Sequence, residues 1–296
     1  MVGEIGEMAT HSDAGGGFDV TFFGVRGSTP CHGANIVRYG GNTSCVSLDI
    51  PGAPPILFDL GTGLRYFGHE FGHDRLFKGV CLLTHMHWDH IQGLPFFTPI
   101  LRAGAELDVY APKQIGGEGA QEVFERSIRP PLFPIPLADL PAEVRFHEIL
   151  DDEFAIGDVE VMARVIPHAG TTLGFRVTWN GYSVAYLSDH QMPVDGTFVA
   201  STGAIDLCRG ADLVIHDSQY TPAEFAERRT WGHCTLEFAV WIAAEAGARN
   251  LALFHHDPTH HDDVLDLLTN AATECGASLG VEVFPAREGM TVRLDD

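Results

Sequence analysis

The strongest constraint on this chain is a recurrence. Four apolar runs, each of strand length, end on a side chain of metal-ligand type. "GVCLL" runs into "THMHWDH", which carries His85, His87, Asp89 and His90. Farther along, "VEVMARVIPH" ends on His168, "YSVAYLSD" on Asp189 and "NLALFH" on His255. Ligands at the ends of several strands converge on one edge of a sheet, where open α/β sheets place their sites. Within the dense cluster the extended run reads as ending at Thr84, so His85 and His87, two apart, project to the same side. Asp89 and His90 follow as the chain turns toward a neighbouring position. Imidazole and carboxylate are the usual ligands of zinc and similar divalent ions, and this spacing suits two cations side by side. His256 directly follows His255 in "FHHDP", and the residues alone leave either as the ligand.

The rest of the chain reads as strands and helices interleaved. Besides those four runs, "DVTFFGV", "CVSLDI", "ILFDL", "LDVYA", "FRVTW" and "DLVIH" have the β-branched and aromatic enrichment of strands, bounded by turn residues. "WNGY" reads as a hairpin turning at Asn180-Gly181. "TLEFAVWIAAEAGA" reads as a helix capped by Thr235 and stopping near Gly247, and "HDDVLDLLTNAATECGA" as another, from Asp262 or Asp263 to Gly276. This mixture predicts an α/β layered domain. Residues 1–17, Gly-rich and polar, read as a disordered tail, and residues 18–296 as one domain. Within it, 113–143 stands apart: "GEGAQEVFERSIR" fits one helix, and "PPLFPIPLADLP" is a proline-spaced extended stretch. A segment of that size reads as a lid or contact insertion, or as a surface excursion without a role.

Composition narrows the partners. With 296 residues, 45% of them hydrophobic, the chain is long enough for a buried core. It carries 18 Lys plus Arg against 40 Asp plus Glu, a formal charge of -22, and its only lysines are Lys78 and Lys113. Polyanions are repelled at long range, so nucleic-acid or anionic-membrane binding would need a local basic patch, which the sequence does not show. No apolar run approaches a membrane span and the N-terminus lacks a signal-peptide pattern, from which a cytoplasmic protein is expected. The six cysteines are scattered without CxxC spacing and indicate neither a disulfide framework nor a cysteine zinc site.

"THMHWDH" taken with His168, Asp189 and His255 resembles the metallo-β-lactamase superfamily, from about Phe18 onward. The resemblance implies a four-layer αββα sandwich of two mixed β-sheets flanked by helices, with two metals at the sheet edges. It further implies that His85, His87 and His168 bind one metal, that Asp89, His90 and His255 bind the other, and that Asp189 bridges them. Asp59 in "FDLGTG" matches the family's early Asp-x-Gly strand end, where the carboxylate orients a ligand from behind; an Asp bonding its own turn amides is the plain alternative. Zinc is the expected metal, with manganese or iron also compatible with the ligand set.

"WGHCT", Trp231 to Thr235, resembles the GHST element of the ribonuclease Z-like phosphodiesterases, with Cys234 in place of the serine. On that resemblance His233 assists the scissile phosphate and protonates the leaving oxygen, and Asp217 in "IHDSQY" supports the neighbouring histidines. Asp89 would also orient or deprotonate the attacking water. The expected reaction is hydrolysis of a small or cyclic phosphodiester by a hydroxide bridging the two metals. Three alternatives stand beside it: a transfer RNA 3'-processing endonuclease, in which a homodimer pools its arginines; an acyl hydrolase acting on a thioester, lactone or β-lactam; and a non-catalytic metal-binding regulatory domain. Homodimerisation is a further expectation from that branch.

Overall fold

The computed structural model describes residues 16–114 and 116–295. Most of the expected N-terminal tail, 1–15, lies outside the described residues. Among the described residues, fourteen strands form two sheets. The first sheet contains β1 Phe18–Gly24, β2 Cys45–Asp49, β3 Ile56–Phe58, β4 Lys78–Leu82, β5 Glu106–Pro112, β6 Glu143–Ile149 and β14 Thr291–Leu294. The second contains β7 Glu153–Ile156, β8 Val159–Ile166, β9 Thr172–Trp179, β10 Tyr182–Leu187, β11 Leu213–Asp217, β12 Asn250–Phe254 and β13 Glu282–Pro285. The helices are α1 Leu64–Phe71, α2 Trp88–Ile91, α3 Ala120–Ser127, α4 Thr202–Cys208, α5 Pro222–Arg228, α6 Leu236–Glu245 and α7 Asp262–Leu279.

Three apolar layers hold these parts together. Between the sheets, Phe18, Phe22 and Phe58 of the first meet Phe175, Tyr186 and Phe254 of the second. Phe58 stacks on Tyr186 with ring centroids 4.5 Å apart. On the outer face of the first sheet, Leu64 and Phe67 of α1 and Phe124 of α3 pack over Leu57, Cys81 and Leu107. On the outer face of the second, α4, α6 and α7 cover Ala185, Val214 and Leu251. Strands buried on both faces read as continuous apolar runs, which is why "VCLL" and "LALF" show no alternation. The result is a four-layer αββα sandwich of two mixed sheets. Among the described residues no helix is long and apolar enough to cross a membrane.

Strand direction sets where the site falls. β3 to β6 are mutually parallel, as are β10 to β13, and β8 runs with β10 because both are antiparallel to β9. The C-terminal ends of β3, β4, β8, β10, β11 and β12 therefore release Asp59, the 84–90 segment, His168, Asp189, Asp217 and His255 at a common edge.

Several expected boundaries move. β4 ends at Leu82, two residues before Thr84; the Leu83 amide makes a last bond to the Tyr110 carbonyl of β5 at 2.9 Å, and the residues after it turn away to reach the site. α7 continues past Gly276 to Leu279 and is closed by Gly280 in the left-handed conformation, φ 80°. Gly276 is instead a contact point, because a Cβ there would lie 2.3 Å from Val283 Cγ2. The Asn180-Gly181 hairpin forms, with positive φ at both residues as a type I′ turn requires. Four strands went unpredicted, β6, β7, β13 and β14, and they are the outer strands of the two sheets. The 113–143 segment is anchored rather than loose: Phe124, Ile128, Leu137 and Leu140 all enter the outer core of the first sheet.

Phe175, fully buried between the sheets, should be costly to truncate. Phe175→Ala is expected to lower the unfolding free energy by about 3–5 kcal/mol, read from urea denaturation midpoints; a loss below 1 kcal/mol would contradict the inter-sheet packing.

Candidate metal centre

Four of the imidazoles at this edge are aimed by a bond on the far side of the ring. His90 Nδ1 donates to Asp59 Oδ2 at 2.8 Å, His168 Nδ1 to the Gly232 carbonyl at 2.7 Å, and His255 Nδ1 to Gln219 Oε1 at 3.0 Å. Fixing the proton on Nδ1 leaves the Nε2 lone pair facing inward, the arrangement metal-binding imidazoles need. His85 Nδ1 sits 3.1 Å from Thr84 Oγ1 in the same sense. Asp59 itself accepts the Thr84 amide at 2.8 Å and the Tyr186 hydroxyl at 2.8 Å. It therefore steadies His90 from behind rather than bonding the amides of its own turn.

The inward atoms fall into two groups. His85 Nε2 lies 2.8 Å from His87 Nδ1, and His168 Nε2 lies 3.3 Å from the same atom. Asp89 Oδ2 lies 3.2 Å from His90 Nε2 and 3.3 Å from His255 Nε2. Asp189 stands between the groups. Its Oδ1 is 3.8 Å from His85 and 3.7 Å from His168, while its Oδ2 is 3.0 Å from His90 and 3.3 Å from His255. Within each group the potential ligand atoms lie within 4.8 Å of one another.

Two observations fit this set to cations. His90 Nε2 and Asp189 Oδ2 are buried without a well-aligned hydrogen-bond partner despite their 3.0 Å approach, and buried polar atoms left this way are costly unless something else satisfies them. In addition, burial, aided by the neighbouring imidazoles, holds His85 well below the ordinary histidine pKa; burial lowers His168, and partial desolvation lowers His87, whose side chain stands exposed at the mouth of the site. Neutral imidazole is the ligand form. His90 differs: burial opposes its protonation, but the carboxylates of Asp89, Asp189 and Asp59 outweigh burial and raise its pKa.

The two adjacent histidines diverge. His255 turns into the site through a left-handed backbone, φ 58°. His256 points the other way, donates from Nε2 to the Ala286 carbonyl at 3.0 Å and packs edge-on against Tyr39. His233 also lies at the centre, its ring stacked 5.0 Å from that of His255, with Nδ1 2.7 Å from Asp217 Oδ2. Burial works against its proton, yet the charges of Asp217, Asp189 and Asp89 prevail and its pKa is raised.

Several participants were not legible beforehand. Gln219 and Thr84 stand inside quoted segments but carry no ligand signature. Ser28 donates its amide to Asp89 Oδ2 at 2.7 Å. Gly27 and Gly232 matter for what they lack: a Cβ would stand 2.4 Å from the His255 ring at the first and 2.2 Å from the His168 ring at the second.

A family model described as a beta-lactamase superfamily domain matches residues 57–256, spanning β3 through the His255 loop. The chain belongs to the beta-lactamase superfamily. Among curated relatives, a ribonuclease Z of Synechococcus is 26% identical, over 81% of this chain and 85% of its own. Among solved structures, the metallo-beta-lactamase fold protein YhfI from Bacillus subtilis superposes with a TM-score of 0.70 at 22% identity, covering 94% of this chain and 99% of that one. The short form of human tRNase Z superposes with a TM-score of 0.67 at 22% identity, covering 93% and 98%. Within the superfamily, this site of imidazoles and carboxylates is that of a metal-dependent hydrolase.

Removing the support behind one imidazole tests its part in holding metal. Asp59→Asn is expected to weaken divalent-ion affinity by about 10–100-fold, measured by competition with a chromogenic chelator. Unchanged affinity in a folded variant would show that the Asp59–His90 bond does not position a ligand.

Proposed function

We propose that the protein hydrolyses a phosphodiester bond using two divalent cations, most simply zinc. His85, His87, His168 and Asp189 Oδ1 would hold one; Asp89, His90, His255 and Asp189 Oδ2 would hold the other. The observation that carries this reading is the division of the Asp189 oxygens between two ligand groups. Bound there, the cations would supply an acidified water and neutralise charge building on phosphate oxygens.

The protein's own groups complete the chemistry. Asp89, fixed by the Ser28 amide, keeps a pKa well below the usual carboxylate range; burial alone would raise it, but His90 and His255 dominate. It is thus an anion able to orient the attacking water. His233 uses Nδ1 for Asp217, which leaves Nε2 to face a substrate oxygen, and its raised pKa favours the protonated form that a general acid needs. The pair precedes α6, whose first turn is capped by Thr235 accepting from the Phe238 amide, and a helix N-terminus favours the phosphate's negative charge.

The substrate proposed is a small phosphodiester, supported by the charge of -22 and the scarcity of lysine. The ribonuclease Z relative favours a second reading, cleavage of a transfer RNA precursor. Residues 113–143 would bear on either substrate, because Gln114, Glu118 and Arg126 line the cavity that opens over His85 and His87.

With bis(4-nitrophenyl) phosphate as substrate, His233→Ala is expected to reduce kcat by about 10²–10⁴-fold while metal content per chain is retained. Turnover confined to acyl substrates would reject the phosphodiesterase reading. Asp217→Asn removes the charge that raises the His233 pKa, so the alkaline limb of the kcat profile should move to lower pH. A limb that stays in place would exclude His233 as the titrating acid.

A further inference from the structure

Two cavities flank the ligand-bearing turn. One, about 500 Å³, opens over His85, Met86 and His87 and is polar at its rim, with Gln114, Arg126 and Thr171. The other, about 600 Å³, begins one residue later at Trp88 and continues along Ile91 and Gln92. Helix α3 is the wall between them: Val123 and Arg126 face the first, Phe124 and Ser127 the second. The two spaces are therefore neighbours across residues 86–88, and a phosphodiester has two substituents to place.

The second cavity has the chemistry of a ring-binding site. Its walls are Tyr66, Trp88, Phe96, Leu132 and Phe133. Trp88 is 61% exposed, Phe96 59% and Leu132 69%, an outlay of open apolar surface that the core does not require. Phe96 meets Phe133 edge-on at 6.1 Å, forming a corner rather than a flat patch. Polar groups are set among them: Asn42, Thr62, Arg65 and Gln92. The Arg65 guanidinium lies 5.6 Å from the Tyr66 ring, and neither it nor the Gln92 side chain makes a hydrogen bond or ion pair among the described residues. A lipid chain would leave those donors unused. A planar ring with a polar edge would engage both, stacking on the aromatic side chains and bonding the amide and guanidinium.

We infer that this cavity receives a nucleobase carried by the phosphodiester, so that the substrate is a nucleoside ester rather than a simple alkyl diester. The inference deepens the phosphodiesterase reading and rests on it for the reaction, although base binding is measurable without turnover.

The test compares thymidine 5'-(4-nitrophenyl) phosphate with methyl 4-nitrophenyl phosphate, which share a leaving group and differ in the remaining substituent. The wild-type protein should favour the thymidine ester in kcat/KM by about 10-fold or more, the scale of one base–aromatic stack. Phe96→Ala and Leu132→Ala, both at exposed positions, should remove most of that preference and leave the methyl ester rate unchanged. In parallel, adenosine, which has no phosphorus, is titrated calorimetrically into the metal-loaded protein and the same variants. Saturable binding weakened by both substitutions supports the pocket even if no phosphodiester is cleaved, in which case the catalytic reading alone fails. Equal rates for the two esters together with no adenosine binding would overturn the inference. So would sedimentation showing a dimer that Phe96→Ala dissociates, since a second copy of the chain would then be the occupant.

Discussion

The buried carboxylate of Asp59 is the point on which the site's geometry depends. It accepts from the Thr84 amide and hydroxyl and from His90 Nδ1, all of the 84–90 segment, and from the hydroxyl of Tyr186 in the opposite sheet. A carboxylate withdrawn from water is stable only when its lone pairs are filled, and here the partners come from both halves of the sandwich. Sheet packing and ligand orientation are thereby coupled. The Phe58–Tyr186 stack keeps the hydroxyl within reach of Asp59, and Asp59, next to Phe58, keeps His90 turned inward.

Around that centre the backbone is shaped for close approach. Asp59 and His255 both adopt left-handed conformations at strand ends, φ 59° and 58°, which cost free energy in residues other than glycine and persist where the surroundings dictate them. Gly27 and Gly232 supply the complementary concession, leaving room for the rings of His255 and His168. The donors that result are crowded. Five imidazole nitrogens and two carboxylates converge on one largely buried edge, an arrangement that makes sense when positive charge resides among them.

What could be read from the chain followed burial. The ten strands recognised in the sequence are the inner strands of both sheets, each paired on both sides and each presenting at least one buried apolar face. The outer strands β6, β7, β13 and β14 were missed because each has one ladder edge free and carries charged or exposed residues, as in "EVRFHEI" and "TVRL". The end of α7 was misplaced for a related reason: Gly276 carries a stop signal in sequence, but its missing side chain is used for packing against Val283, and Gly280 supplies the cap.

The sequence by itself determined the chemical type of the site and its place at strand ends, because ligand identity and strand periodicity are local properties of consecutive residues. Only the tertiary structure decided that Asp189 turns one oxygen to each ligand group and that His255 enters while His256 leaves. It also decided that Gln219, Ser28 and two glycines belong to the site, and that an aromatic cavity adjoins it. Those outcomes depend on contacts between segments far apart in the chain, such as residues 28 and 89 or 168 and 232, and nothing in either segment alone encodes the direction from which the other arrives.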